Sequence, residues 1–261
     1  MEAWFTRYWD NCHVTDNQSK VTQRKGSQSK GSQSNLIITG GINHDFEDAS
    51  EALSEVLAQA GFTSRVCQNI DEGLTALSNE KFDLVTLFTL RWRMLDDDKY
   101  IPFREQWAYE ISEADRQHLL NHVERGGGLL GLHTTAICFD TWPEFFNLLG
   151  VRWQWGTTYH PPPANFTVTE LNQSHPASQG ISDFEIVDEI YHHLASRHGA
   201  EPLFVAKSAE DKAMHTLAWA NHYGKGRVIY DALGHDRASI KASGHAQFLQ
   251  QAAHWLADDA G

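Results

Sequence analysis

Gly126-Gly-Gly-Leu-Leu-Gly-Leu-His133 is a short apolar run that leaves a glycine triplet and ends on a histidine. Such a run fits a buried strand in a sheet covered on both faces. Upstream, Ser112-Glu-Ala-Asp115 resembles an N-terminal capping arrangement, with Asp standing where Glu fits better. The helix it starts should end at the glycine triplet. Further upstream, Phe82 to Leu90 reads as a central strand, and Ser64 to Gln68 as another. Leu36-Ile-Ile-Thr39 ends in Gly40-Gly41 and fits a buried first strand. Between these strands, Ala49, Leu53, Val56, Leu57 and Ala60 fall on one helical face that Gly61 stops, and a shorter helix fits Asp71 to Leu77. Strand alternating with helix argues for a parallel sheet with helices on both faces. Arg91 to Tyr109 reads as irregular.

Beyond Val151 the rhythm changes. Phe166–Thr169, Phe184–Val187 and Leu203–Ala206 are short strand candidates, forming an insertion or an antiparallel extension of the sheet. Thr216–Trp219 and Arg227–Tyr230 flank Tyr223-Gly-Lys-Gly226, a hairpin signature. A last helix carries Phe248, Leu249, Ala252, Trp255 and Leu256 on one face. Residues 18–34 are mostly Gln, Ser, Lys and Gly without apolar period, so 1–34 reads as a disordered tail or linker and 35–261 as one folded domain.

The 261 residues carry 21 Lys and Arg against 34 Asp and Glu, a formal charge of −13. Such a surface repels phosphate backbones, so nucleic acid is not an expected partner. No apolar run is long enough to span a membrane, and the first residues lack a secretory pattern. Three cysteines are too few for a disulfide framework, which makes a reducing cytoplasm the default setting. The 15 histidines point to metal binding or proton transfer, with scattered surface histidines as the plain alternative.

Ligands in open α/β sheets sit at the carboxyl ends of strands, and His133 is placed there. An imidazole at that place ligates a metal or moves a proton, unless it only caps the following helix. His235, in Gly234-His-Asp236, ends another strand and would meet His133 if the two strands are close; otherwise it packs against the last helix. Asp236 could hold it in one tautomer. His44, after the first strand, is a third candidate, and His160, before Pro161-Pro-Pro163, a weaker fourth. In Asp188-Glu-Ile-Tyr191, Glu189 and Tyr191 share one strand face and Asp188 takes the other, unless the strand ends there. A carboxylate here serves as base or hard ligand, or is a solvated strand end. His192 and His193 are left outside the expected site. Trp142, Trp153 and Trp155 offer flat faces for sugar rings or pack in the core. Cys138, five residues past His133, reads as packing. None of these candidates stands in a close sequence pair with another histidine candidate, so any metal site among them must be assembled from distant segments.

These segments, in order, resemble the ThuA-like (trehalose utilisation) proteins of the class I glutamine amidotransferase-like superfamily. The residues that carry the resemblance are Thr39-Gly-Gly41 with His44, Gly127–His133 with Trp142, and His175-Pro176 with Gly180. Asp188-Glu-Ile-Tyr191, Trp219, Tyr223–Val228 and Leu233-Gly-His-Asp236 complete the set. The resemblance implies a three-layer α/β/α, flavodoxin-like fold with a mostly parallel central sheet. It also implies that His133 replaces the amidotransferase cysteine, so no glutaminase activity is expected. The implied substrate is a keto-sugar or keto-glycoside, handled by acid–base chemistry with or without a metal. Expected catalytic residues are His133, Glu189, Tyr191 and His235; expected metal ligands are His133, His235 and His44. Trp142, Trp155 and Asp188 are assigned to the substrate. The expected cofactor is a divalent metal, zinc before others, with no nucleotide cofactor, and a homo-oligomer is one open outcome. A silent sugar-binding or regulatory module and a metal-assisted hydrolase are the rival readings.

Overall fold

The computed structural model describes residues 12–14 and 32–258. Most of the expected tail, 1–34, therefore lies outside the described residues. Two parts of it do not. Cys12–Val14 forms a strand, β1, and the next strand, β2, begins at Gln33 rather than Leu36 and runs to Gly40. Ser34 explains the earlier start: its backbone N–H and hydroxyl both donate to the Asp83 carboxylate, at 2.6 and 2.8 Å.

The strand and helix alternation is observed. After β2 come α1 (Phe46–Gln59), β3 (Phe62–Cys67), α2 (Ile70–Asn79) and β4 (Leu84–Thr89). A 3-10 turn over Asp98–Phe103 and a single helical turn, α3 (Arg104–Trp107), punctuate the expected irregular stretch. Then follow α4 (Glu113–Glu124), β5 (Gly128–Leu132), a 3-10 turn over His133–Ile137 and α5 (Pro143–Leu149). The Ser112 hydroxyl caps α4 by accepting from the Asp115 backbone N–H at 3.2 Å, as the sequence pattern suggested.

The remaining strands are β6 (Val151–Arg152), β7 (Ala164–Glu170), β8 (Phe184–Asp188), β9 (Ala195–Ser196), β10 (Glu201–Lys207), β11 (Met214–Tyr223) and β12 (Gly226–Asp231). The chain closes with α6 (Arg237–Lys241) and α7 (Ser243–Ala257). Ten strands form one sheet in the order β1-β3-β2-β4-β5-β12-β11-β10-β7-β8, and β6 pairs with β9 apart from it. From β3 to β12 the neighbours are parallel. From β12 to β8 they are antiparallel, so the second half extends the same sheet.

Side-chain alternation divides the core in two. Ile37 joins Leu53, Leu57, Phe248 and Leu249 from α1 and α7. Leu36 and Ile38, one residue either side, join Leu74, Leu119, Val123 and Leu149 from α2, α4 and α5. Each fully buried leucine contributes about 1.5–3 kcal/mol relative to an exposed one. The run that opens β5 has a packing reason for its glycine: a Cβ on Gly128 would lie 2.6 Å from the Leu256 carbonyl oxygen of α7.

Candidate active site

β5 and β12 are adjacent and parallel, with Leu132 opposite Asp231. Their ends therefore bring His133 and His235 together, at a ring-centroid separation of 5.6 Å. His133 has φ +49°, a left-handed conformation that is rare for a side-chain-bearing residue. Such strain persists only when neighbours hold it in place. Here the Tyr230 hydroxyl donates to the His133 carbonyl oxygen at 2.7 Å. The ring is fully buried, and its Nδ1 lies 2.7 Å from the Ala232 carbonyl oxygen. A carbonyl only accepts, so Nδ1 carries the hydrogen and Nε2 presents a lone pair.

The loop after β2 aims His44 at that lone pair. The two Nε2 atoms are 3.1 Å apart. His44 Nδ1 is 3.4 Å from the Ile42 carbonyl oxygen, so its hydrogen also sits on the far nitrogen. Burial, with His133 and His235 nearby, depresses the His44 pKa to about 4, which keeps the ring neutral near pH 7. The Nε2 atoms of the two rings thus point at one another. Gly234, at φ +112°, turns the chain so that His235 closes a triangle, with its ring centroid 4.9 Å from that of His44.

β8 ends at Asp188, so the next three residues are not held to strand alternation. Glu189 and Tyr191 nevertheless both reach His133. Glu189 Oε2 is 3.5 Å from His133 Nε2, and Oε1 is 3.5 Å from His235 Nδ1. Burial alone would raise the Glu189 pKa; the His133, His235 and His160 rings close around it outweigh that and hold the carboxyl well below the usual range, so it is ionised. His235 is raised by the same contact. The Tyr191 hydroxyl lies 3.1 Å from His133 Nε2, and burial holds its pKa far above the usual value, so it stays a donor.

One ligand atom from each of His44, His133, Glu189 and His235 falls within 4.8 Å of all the others. Ligands about 2.05 Å from a tetrahedral zinc ion stand about 3.3 Å apart. The separations of 3.1 and 3.5 Å straddle that value. Among the described residues, Glu189 Oε2 and His235 Nδ1 are buried without a hydrogen-bond partner. Facing ring nitrogens and orphaned donor atoms are what a divalent cation would satisfy. The residues present fit such an ion.

Other expected site residues fall elsewhere. Asp188 does not face the cluster. Its Oδ2 accepts from the backbone N–H of Gly234 and His235 and from the Ser239 hydroxyl, and its Oδ1 accepts from the Glu189 N–H. It fixes the two segments that carry Glu189 and His235, both oxygens being turned to donors of the protein. Trp142 is buried and stacks on Phe145 in the core, so the sugar-stacking role fails on burial. Trp155 packs against Trp92, Tyr100 and Trp153, one ring removed from the cluster. Cys138 is buried packing, its Sγ donating to the Thr89 carbonyl oxygen; burial pushes its pKa up to about 12.

His160 is closer than its proline-rich setting suggested: Nδ1 is 3.3 Å from Glu189 Oε1. Trp153 edges against Tyr191 at 5.3 Å and His160 at 6.1 Å. The Ala232 carbonyl had no signal in the sequence, because any residue there supplies the same oxygen.

The strand ends and the imidazole cluster define an α/β protein with a candidate metal-binding cleft beside a carboxylate. A family profile, ThuA, described as trehalose utilisation, matches residues 35–256, and the chain belongs to that family. No curated protein matches it. Among solved structures, a ThuA-like protein from Parabacteroides merdae is 18% identical over 88% of this chain and 92% of its own, with a TM-score of 0.71. A ThuA-like protein from Bacteroides uniformis is 17% identical over 88% and 94%, with a TM-score of 0.61. A protein described as cytoplasmic, from Salmonella typhimurium, is 13% identical over 85% and 99%, with a TM-score of 0.57. At these identities the likeness is one of fold. Among the described residues no helix is long and apolar enough to cross a membrane.

Proposed function

We propose that this chain is a metal-assisted enzyme of carbohydrate catabolism that acts on a keto-sugar or keto-glycoside of the trehalose type. The observation that carries the proposal is the approach of His44 and His133, whose Nε2 atoms face each other at 3.1 Å beside the ionised Glu189. The parallel strands β3-β2-β4-β5-β12 follow the flavodoxin-like order, and helices on both faces support a three-layer reading.

In this reading His44, His133 and His235 would hold the ion, which would supply Lewis acidity toward a substrate carbonyl oxygen. A keto group at C3 of a glycoside acidifies the C2 hydrogen. Glu189 removes it as a proton, and the electron pair enters the C2–C3–O enediolate. The Tyr191 hydroxyl donates to the developing oxyanion. Return of the pair forms a C1–C2 double bond and expels the C1 oxygen, which takes a proton; reprotonation without expulsion gives isomerisation. His160, in contact with Glu189, relays the proton between the carboxylate and solvent. The residue at the nucleophile position is an imidazole, so no glutaminase activity is expected.

The test is deuterium exchange at C2 of a 3-keto glucoside in D2O. The zinc-loaded protein should catalyse exchange, and Glu189→Gln should slow it by about 10²–10⁴-fold. Sugar binding with no exchange would make the chain a silent binding module. Hydrolysis with no exchange would make it a metal-assisted hydrolase.

A further inference from the structure

Just beyond Tyr191 the chain carries two histidines that the first cluster does not use. We propose that His192, His193 and Asp211 form a second divalent-metal site, of zinc type. Their ligand atoms lie within 4.8 Å of one another. His192 Nδ1 stands 3.4 Å from Asp211 Oδ2, close to the separation of about 3.3 Å between tetrahedral zinc ligands. Two imidazoles with one carboxylate form a borderline donor set, suited to zinc rather than to magnesium or calcium.

His192 and Asp211 are held before any ion arrives, and the backbone of exposed His193 is fixed beside them. The His192 ring is fully buried and stacks on His215 with ring centroids 4.0 Å apart. Its Nε2 has no hydrogen-bond partner among the described residues. The backbone on either side is clamped: His192 N–H donates to the Tyr159 carbonyl oxygen at 2.8 Å, and the Thr158 hydroxyl donates to the His193 carbonyl oxygen at 3.0 Å. His193 is left-handed, at φ +57°, which turns its ring toward those of Tyr159 and His215. Asp211 is braced from behind. The Ala213 N–H donates to Oδ1 at 2.9 Å, and His215 Nε2 lies 2.9 Å from Oδ2. A carboxylate fixed by an outer imidazole is the usual second layer of a metal site. The Tyr159 hydroxyl, 3.0 Å from His192 Nδ1, belongs to an exposed side chain able to turn aside.

The geometry gives the site a task. His192 and His193 continue the segment that holds Glu189 and Tyr191, whereas Asp211 lies in the turn between β10 and β11. An ion here ties the two together and restrains the catalytic segment from its outer side. The inference does not depend on the chemistry of the first cluster.

The test is zinc titration of the metal-stripped full chain against a chromophoric chelator. Wild type should bind two equivalents. The double variant His193→Ala with Asp211→Asn should keep one, with at least a tenfold loss of affinity for the other. His235→Ala should keep the equivalent that the double variant loses, and zinc should still raise its unfolding temperature. One equivalent in wild type, lost in His235→Ala and kept in the double variant, would overturn the second site and leave the first intact. One equivalent lost only in the double variant would uphold the second site and remove the first. Two equivalents that survive the double substitution would also overturn the proposal.

Discussion

Asp188 shows how a single side chain sets a site it never enters. Both of its oxygens accept from groups on the segments bearing Glu189 and His235. Replacing it by Asn leaves a single acceptor oxygen, so an amide N–H₂ must face at least the Glu189 backbone N–H, a donor that needs an acceptor. The expected outcome for Asp188→Asn is a loss of zinc affinity of about 10–100-fold, read by chelator competition, with the fold retained by circular dichroism. Its role was hidden in the sequence, because a carboxylate one residue from Glu189 looks like a second ligand. His133, His235 and His44 were legible, since each follows a glycine-bearing strand end. His160 was only faintly so, since no regular element counts off its distance from Glu189. Trp142 misled for a different reason: an aromatic near a cleft and an aromatic in the core have the same letters, and only burial separates them.

At the scale of elements, β5 and its glycine triplet were read nearly to the residue. An apolar run bounded by glycine and a polar residue leaves little choice of register. The starts of β2 and β7 came earlier than expected, because side chains such as Ser34 extend pairing that hydrophobicity does not report. β5 is also where packing is tightest. A methyl group on Gly128 would strike the backbone of α7, a contact no rotamer relieves. Gly128→Ala should therefore cost about 1–3 kcal/mol in urea unfolding through that contact. Gly126→Ala, where a Cβ meets nothing within 4 Å, should cost about 1–2 kcal/mol through its φ of +111° alone. An unchanged urea midpoint for Gly128→Ala would mean that the α7 contact does not select glycine there.

The whole molecule carries a buried ion pair beneath the site. His245 Nε2 lies 2.8 Å from Asp231 Oδ2, and both side chains are fully buried. Burial alone would lower the His245 pKa, but the charge and hydrogen bond of Asp231 outweigh it and raise the pKa above its usual 6.5. The folded state therefore holds this proton more tightly than the unfolded chain does. The stabilisation is fully present below about pH 6.5 and is lost as pH rises through the raised folded value. Urea midpoints should fall between about pH 6 and pH 9 in wild type, and fall less in His245→Gln. Equal slopes would show that the pair does not titrate in that window.

The members of the cleft meet across long stretches of chain. The His44 and His133 contact spans 89 residues, and that of His133 and Tyr191 spans 58. No fragment short of nearly the whole domain can assemble it. A ligand gripping these groups weighs on global unfolding rather than on any local opening, by about 2.7 kcal/mol at a hundredfold excess over its Kd. Protease resistance of the intact chain would then report occupancy of the cleft, with no substrate required.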